Sequence, residues 1–290
     1  MKKIILHIGF GKTGTSSIQH MLYTGRNILE EQGILYPFTK TGEKAHHSYV
    51  TPHWLGKKGI AKKSRDLIEE TLKNLNKSNC DTLVLSSELL CYASEAYVAE
   101  LSDIFDGYNI EIIFYIREQS KLIESTFLQH VKEGREHWGS LEKFLKYSIN
   151  SFNFMTRITP WACVFGHNSI KARVFDKRII GNDVCKDFLH IVGLPSNNLA
   201  LGIMENESLI PEVVDSILLL DSTNPDIEER GEIVDCFLKL SNIVRKKSNK
   251  TLLDANKKKW VEQYFSLSNK QFSCLYLDCT QSEILFSTTN

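Results

Sequence analysis

The sequence has no long apolar run, and nothing in it is typical of a membrane-spanning helix. No stretch approaches the roughly 20 apolar residues that are needed to cross a bilayer. Two lysines precede the first apolar run, IILHI, but this run ends in a Gly-Lys turn and is too short for the apolar core of a signal peptide. We therefore expect no transmembrane segment and a cytoplasmic location.

The sequence also lacks a pattern of paired cysteines, and it has no excess of basic or of acidic residues. The seven cysteines are scattered, odd in number and without a C-x-x-C pair, which argues against a disulfide framework. Lys plus Arg and Asp plus Glu each number 35, so the formal net charge is zero. A neutral chain has no overall field that attracts nucleic acid or acidic lipid. We expect no nucleic-acid partner, and any anion site must be local.

The chain also lacks repeats, low-complexity tracts and linkers rich in Pro, Gly or Ser. At 290 residues it is long for one ordinary domain and short for two large ones. We predict a single domain over residues 1–290, with an α/β core over about 1–180 and a largely helical part over about 181–290. Its oligomeric state cannot be predicted from these features.

Short apolar runs alternate with helical patterns through the first part of the chain. Continuous apolar runs predict buried strands, and a spacing of three to four residues predicts helices. The strands are predicted at 3–8, 81–87, 110–116 and 169–175, and the helices at 15–31, 62–76, 118–133, 182–192, 211–221, 228–247 and 254–273. This alternation predicts an α/β fold of three layers, in which helices flank a mainly parallel central sheet. Ligands bind such sheets beyond the carboxyl ends of the strands.

The first predicted strand runs into a turn that is rich in hydrogen-bond donors, within the stretch HIGFGKTGTSSIQ at 7–19. A glycine-containing turn between a strand and a helix presents backbone N–H groups and the positive end of a helix dipole to an anion. Lys12 adds a cation, and Thr13, Thr15, Ser16 and Ser17 add hydroxyl groups. The turn suits a phosphate group, although a plain strand-to-helix turn remains the alternative.

The P-loop NTPases have a comparable turn, but this chain departs from their G-x-x-x-x-G-K-[ST] signature. Gly11, Lys12 and Thr13 match its end, whereas Leu6 stands where the first glycine belongs. A loop that lacks this glycine is too short to wrap a β-phosphate in the same way.

Two segments resemble the donor site of the sulfotransferases that use 3′-phosphoadenosine 5′-phosphosulfate (PAPS). Lys-Thr-Gly-Thr-Ser-Ser, opening a helix, resembles their 5′-phosphosulfate loop, which implies donor binding by Lys12, Thr13, Gly14, Thr15, Ser16 and Ser17. Arg117 ends the third predicted strand, and Ser125 follows eight residues later, in the arrangement with which the family clasps the 3′-phosphate. An arginine fork matches phosphate oxygens. A structural arginine and an exposed helical serine remain the alternative.

The likeness covers the whole chain loosely and is specific around 9–17 and 117–125. The chain looks like the bacterial carbohydrate sulfotransferase-like branch of the family. It implies a P-loop-like fold, PAPS as donor, adenosine 3′,5′-bisphosphate as product, and no metal. The implied acceptor is a hydroxyl group, on a carbohydrate or glycolipid. Lys12 would stabilise the departing phosphate oxygen.

The family takes the acceptor's proton with a His or a Glu near the end of a neighbouring strand. Glu88 stands just beyond the second predicted strand and is our candidate base, while a glutamate that only begins a helix is the alternative. The polar segment KAHHSYVTPH at 44–53 holds rival histidines. We predict acceptor contacts for His46, His47 and Trp54, and a histidine base stays open.

Two other functions remain open from the sequence alone. A nucleotide kinase or NTPase with a degenerate loop would need a magnesium-binding Asp after a strand, and the strand at 81–87 ends in Ser-Ser-Glu instead. A non-catalytic protein that binds adenosine 3′,5′-bisphosphate would need the anion sites but no base.

Overall fold

The computed structural model describes residues 1–38, 46–51, 59–134, 138–194, 199, 208–245 and 249–286. In this part of the chain five strands form one sheet: β1 (Lys3–His7), β2 (Ile34–Leu35), β3 (Thr82–Ser86), β4 (Asn109–Ile116) and β5 (Ile170–Val174). The strand order is β2-β3-β1-β4-β5, and every pair is parallel. The predicted α/β fold with a parallel central sheet is confirmed, and β1 lies at its centre.

Helices make up most of the remaining described residues. They are α1 (Thr15–Thr24), α2 (Arg26–Glu31), α3 (Lys62–Lys77), α4 (Glu95–Ile104), α5 (Gln119–Glu133), α6 (Leu141–Ser148), α7 (Phe154–Phe165), α8 (Lys177–Ile180), α9 (Val184–Val192), α10 (Val214–Ser222), α11 (Ile227–Val244), α12 (Ala255–Tyr276) and α13 (Cys279–Phe286). After β5 the described chain forms helices and no strand, as predicted. In the described ranges we find no helix with both the length and the apolar character to span a bilayer.

Contacts divide the chain into two compact units. The first comprises 1–117, 154–204 and 268–290 and contains the whole sheet. The second comprises 118–153 and 205–267, and its described elements are helical. The prediction of a single domain stays a prediction.

In the second unit, Arg230 of α11 fixes the end of α5. Its guanidinium donates to the carbonyls of Val131 at 2.6 Å and Lys132 at 3.1 Å, and it pairs with Asp221 at 2.7 Å. A cation at the carboxyl end of a helix satisfies carbonyl groups that lack intrahelical partners. This contact ties α5 to α11 and to the end of α10.

The sheet of the first unit is covered on both faces. On one face Ile5, Val84 and Ile113 belong to a buried cluster that includes Ile18, Leu22 and Phe188, from α1 and α9. On the other face the Phe114 ring lies 5.5 Å from the Phe10 ring and 6.1 Å from the Phe272 ring. Because both faces are buried, β1, β3 and β4 contain continuous apolar runs rather than alternating patterns.

The helix predicted at 15–31 is two helices, α1 and α2, which are separated at Gly25. The Gly25 N–H donates to the Met21 carbonyl at 2.9 Å, and the Leu199 side chain occupies the place where a Cβ at Gly25 would lie. Glycine is a poor helix residue, so a helix ends easily at this position. The prediction of one unbroken helix was wrong.

Candidate functional site

The turn between β1 and α1 has an unusual backbone. Lys12 has φ of 67° and Gly14 has φ of 82°, so both are left-handed. This conformation is uncommon for lysine. A Cβ at Gly14 would lie 2.9 Å from side-chain atoms of Phe175 and of Val184, so glycine is required there for space as well. Backbone outliers of this kind are often found at functional sites.

The same turn leaves backbone donors available at the start of α1. The Gly14 carbonyl accepts hydrogen bonds from the N–H groups of Ser17 at 3.1 Å and Ile18 at 3.2 Å. Within the described chain, the N–H groups of Gly14, Thr15 and Ser16 donate to no backbone carbonyl. Three successive N–H groups at the positive end of a ten-residue helix suit an anion.

The four hydroxyl groups of the turn differ in their surroundings. Thr13 is fully buried, and its hydroxyl donates to the Phe10 carbonyl at 2.5 Å. Thr15 and Ser17 are buried as well, whereas Ser16 is exposed. The Thr13 side chain therefore shapes the turn, and any contact of Thr13 with an anion would come from its backbone N–H.

Arg117 lies at the same edge of the sheet as the Lys12 turn. It directly follows β4, which pairs with β1. Its Nη1 donates to the Lys12 carbonyl at 3.4 Å, and its guanidinium carbon lies 5.9 Å from the centre of the Phe175 ring. Ser125 is a partly buried residue of α5 and belongs to the second unit. Its predicted pairing with Arg117 on a phosphate stays a prediction.

Glu88 lies beside the turn on the other side of β1. It begins the 3₁₀ helix Glu88–Tyr92 after β3, and the Ser87 hydroxyl caps this helix by accepting from the Leu89 N–H at 3.3 Å. The Glu88 Cγ lies 4.0 Å from the place of a Cβ on Gly11. Its Oε2 accepts a hydrogen bond from the Gln19 amide of α1 at 3.0 Å. The structure therefore brings Glu88, Gly11 and the start of α1 together.

His47 is fully buried, and its ring is hydrogen-bonded within the protein. Its Nδ1 accepts from the Ser86 N–H at 3.0 Å, and its Nε2 bonds the Pro37 carbonyl at 3.1 Å, which assigns a neutral ring with the proton on Nε2. Burial lowers its pKa to about 4, the hydrogen bond to Pro37 opposes this shift, and His46 adds to it. Both ring nitrogens are occupied within the protein. The predicted acceptor contact of His47 stays a prediction without support from this placement.

His46 is partly buried, and its Nε2 hydrogen-bonds the Ser87 hydroxyl. Because Ser87 directly precedes Glu88, this contact brings His46 next to the segment that carries the candidate base. The third predicted acceptor residue, Trp54, lies outside the described residues, as does His53.

His7, which the sequence analysis did not single out, ends β1 and is fully buried. Its Nδ1 shares a hydrogen bond with the Ser86 hydroxyl at 2.8 Å, and burial lowers its pKa to about 3. In the described chain its Nε2 has no hydrogen-bond partner. His7, His46 and His47 thus hold the two serines that precede Glu88.

A buried polar group fixes α9, the helix whose Val184 packs near Gly14. Asp187 of α9 accepts from the Tyr115 hydroxyl at 2.7 Å and from the Arg173 Nε at 3.0 Å. Burial and the negative Asp187 raise the pKa of Tyr115, which keeps the phenol protonated as a donor. The side of the turn that contacts α9 is therefore held by β4 and β5.

Two residues of this site, Gln19 and His7, lie inside the stretch that the sequence analysis examined. Gln19 stands four residues after Thr15 and so shares a face of α1 with it. In the sequence, this spacing was the feature that could have pointed to Gln19 as part of the site. Across the described ranges, no three His, Cys, Asp or Glu side chains form a group that could hold a metal ion.

The chain was compared with family models, curated proteins and solved structures. No family model matches the chain, and the search of curated proteins found no significant match. The fold is similar to that of a sulfotransferase from Alicyclobacillus acidocaldarius, with 15% sequence identity and a TM-score of 0.45. The alignment covers 79% of this chain and 99% of that one.

Proposed function

We propose that this chain is a sulfotransferase that transfers a sulfuryl group from PAPS to a hydroxyl group of a carbohydrate or glycolipid. One observation carries the proposal: the Lys12 turn, Arg117 and Glu88 lie at one edge of one sheet, within one compact unit. That edge is where open parallel sheets bind ligands. The sequence patterns around the turn and Arg117 supply the donor's identity.

The turn has the groups that a 5′-phosphosulfate requires. The N–H groups of Gly14, Thr15 and Ser16, with the hydroxyl of Ser16, would donate to its oxygens, and the dipole of α1 favours the negative charge. The Lys12 side chain would complete this site as the cation. Arg117, adjacent to the turn, would bind the 3′-phosphate.

PAPS supplies an activated sulfuryl group whose bond to the phosphate oxygen breaks as the bond to the acceptor oxygen forms. By analogy with phosphoryl transfer, the displacement is in line and its transition state is loose. Lys12 would stabilise the negative charge on the departing phosphate oxygen. Glu88 would accept the proton that the acceptor hydroxyl loses. The Glu88 carboxylate lies next to the turn, where such a base is needed.

A transfer assay tests the proposal and the choice of base together. The protein is incubated with PAPS labelled in its sulfuryl group and with a panel of oligosaccharides and glycolipids, and labelled product is counted. We expect transfer by the wild type, and a fall in kcat of about 10²- to 10⁴-fold for Glu88→Gln. His46→Gln is the matched control, because it removes the rival base but keeps Glu88.

The outcomes of this assay distinguish between the two candidate bases and between an enzyme and a binding protein. Full transfer by Glu88→Gln together with loss in His46→Gln would assign the base to the histidine. Absence of transfer from PAPS by the wild type to every acceptor, despite tight binding of adenosine 3′,5′-bisphosphate, would favour a non-catalytic binding protein.

A further inference from the structure

Gln19 has no role in the sequence patterns, yet its side chain hydrogen-bonds the candidate base. The residue is 5% exposed, and its Nε2 donates to Glu88 Oε2 at 3.0 Å. A buried primary amide is costly unless it is hydrogen-bonded, so the position of Gln19 is tied to that of the carboxylate.

We infer that Gln19 is a positioning residue that fixes the orientation of the Glu88 carboxylate for proton transfer, an inference that rests on the proposed function. Among the residues that the structure describes, Gln19 is the hydrogen-bond partner of this carboxylate. The bond occupies Oε2 and leaves Oε1 as the oxygen that accepts the proton. An amide suits this task because it donates a hydrogen bond and does not titrate.

The same helix would position both reactants. The first N–H groups of α1 would bind the donor, and Gln19 lies one turn further along the helix, four residues after Thr15. Four residues of α-helix span about 6 Å, and this distance does not vary in a rigid helix. Gln19 therefore links the place of the base to the place of the donor. Small errors in the relative placement of reacting groups cost large factors in rate.

Three side chains from two other segments hold the residues before Glu88. Ser86 is bonded by His7 of β1 and by His47, and Ser87 is bonded by His46. These contacts fix the backbone that leads to Glu88, but none of them reaches its carboxylate. Orientation of the carboxylate itself is thus left to Gln19.

The alternative is that Gln19 only fills space in the core beside α1. Two variants separate these roles. Gln19→Leu keeps apolar packing and removes the donor. Gln19→Glu keeps the shape but replaces the donor by a group whose behaviour depends on pH: protonated, it can donate to Glu88, and ionised, it repels it.

Steady-state kinetics on the full chain tests the inference. For Gln19→Leu we expect kcat to fall about 10- to 100-fold while KM for PAPS stays within about threefold, because the donor site is intact. For Gln19→Glu we expect kcat, relative to the wild type at the same pH, to recover as pH falls from 8 to 5. Calorimetric binding of adenosine 3′,5′-bisphosphate and the unfolding temperature report whether each variant is folded.

Gln281→Leu is the matched control, since Gln281 is a buried glutamine whose side chain accepts from the Val174 N–H at 2.9 Å, away from Glu88. It should lower the unfolding temperature and leave kcat within about twofold. A Gln19→Leu variant with unchanged kcat, or a Gln19→Glu deficit that is the same at every pH, would overturn the positioning role and leave the proposed function standing. A wild type that transfers no sulfuryl group would overturn both.

Discussion

The polar groups at the amino ends of the strands and those at the carboxyl ends differ in how they are bonded within the protein. At the amino ends of the strands, the Lys2 ammonium donates to the carbonyls of Leu75 at 2.5 Å, Cys80 at 2.7 Å and Ser78 at 3.3 Å. Glu111 pairs there with both Lys3 and Lys171 at 2.7 Å. The Lys2 ammonium and the Glu111 carboxylate are thus bonded or ion-paired within the protein, and these contacts hold the sheet to its helices.

At the carboxyl ends the matching is incomplete in the described part of the chain. Three successive N–H groups at the start of α1 donate to no carbonyl, and the buried His7 Nε2 has no partner. Lys12 is held in a left-handed conformation. Unmatched donors and strained backbone cost stability, and they are found where a ligand restores the balance. The contrast supports the proposal that the carboxyl edge binds a ligand.

The largest expected effect comes from replacing a lysine by methionine at each edge, in separate variants. Lys12→Met should lower kcat for sulfuryl transfer about 10²- to 10³-fold, the usual cost of losing one group that stabilises transition-state charge. Lys2→Met should leave kcat within about twofold and lower the free energy of unfolding by about 1–3 kcal/mol, because three carbonyls lose their donor. Transfer kinetics and urea unfolding measure both effects in both variants.

Lys12→Gly provides the control for backbone strain at the turn. It also removes the ammonium, so it should lose as much turnover as Lys12→Met. Glycine accepts the left-handed conformation without strain, so the variant should be as stable as the wild type or slightly more so. If Lys2→Met lost turnover as Lys12→Met does, or if Lys12→Met kept it, the two edges would not differ in the way we describe.

A smaller predicted effect concerns stability alone, namely the pH dependence of the free energy of unfolding that buried His47 causes. The pKa of His47 is about 4 in the fold, against 6.5 for an ordinary histidine. The unfolded chain therefore binds more protons between these values, and stability is complete above pH 6.5 and is lost as pH falls toward 4. At pH 5 the loss from His47 is about 2 kcal/mol, and His7 acts in the same direction.

Urea unfolding at pH 7.5 and pH 5.0 measures this dependence. His47→Gln should be less stable than the wild type at pH 7.5 but should lose less stability on acidification. His190→Gln is the control for the substitution of histidine by glutamine itself, because His190 is an exposed residue of α9. An identical acid loss in the wild type and His47→Gln would show that burial of this ring does not govern it.

The sheet could be predicted from the sequence because burial on both faces leaves continuous apolar runs at β1, β3 and β4, whereas the edge strand β5 alternates apolar and charged residues. The two-residue strand β2 could not, since it exists only through pairing with β3. The general place of the site also followed from the sequence. Residues after parallel strands meet at one edge, and the Lys12 turn, Glu88 and Arg117 do so here.

The details of the site depended on contacts between distant residues. Gln19 and Glu88 are 69 positions apart, and no local pattern reveals that the amide reaches the carboxylate. The polar segment around His47 led to a prediction of acceptor contact, whereas hydrogen bonds to the Ser86 N–H and the Pro37 carbonyl allow this ring to be buried. For Gln19 and for His47, hydrogen bonds between residues far apart in the sequence determine where the side chain lies, and the local pattern does not.

The central claim is that the carboxyl edge binds a nucleotide through a 5′-group at the Lys12 turn and a 3′-phosphate at Arg117. Calorimetric titration with adenosine 3′,5′-bisphosphate, ATP and 5′-AMP, repeated on Arg117→Met, tests it most directly. We predict that the bisphosphate binds the wild type more than about tenfold more tightly than either other nucleotide, and that Arg117→Met abolishes this preference. Binding of ATP as tight as that of the bisphosphate, or a preference that survives in Arg117→Met, would contradict the account.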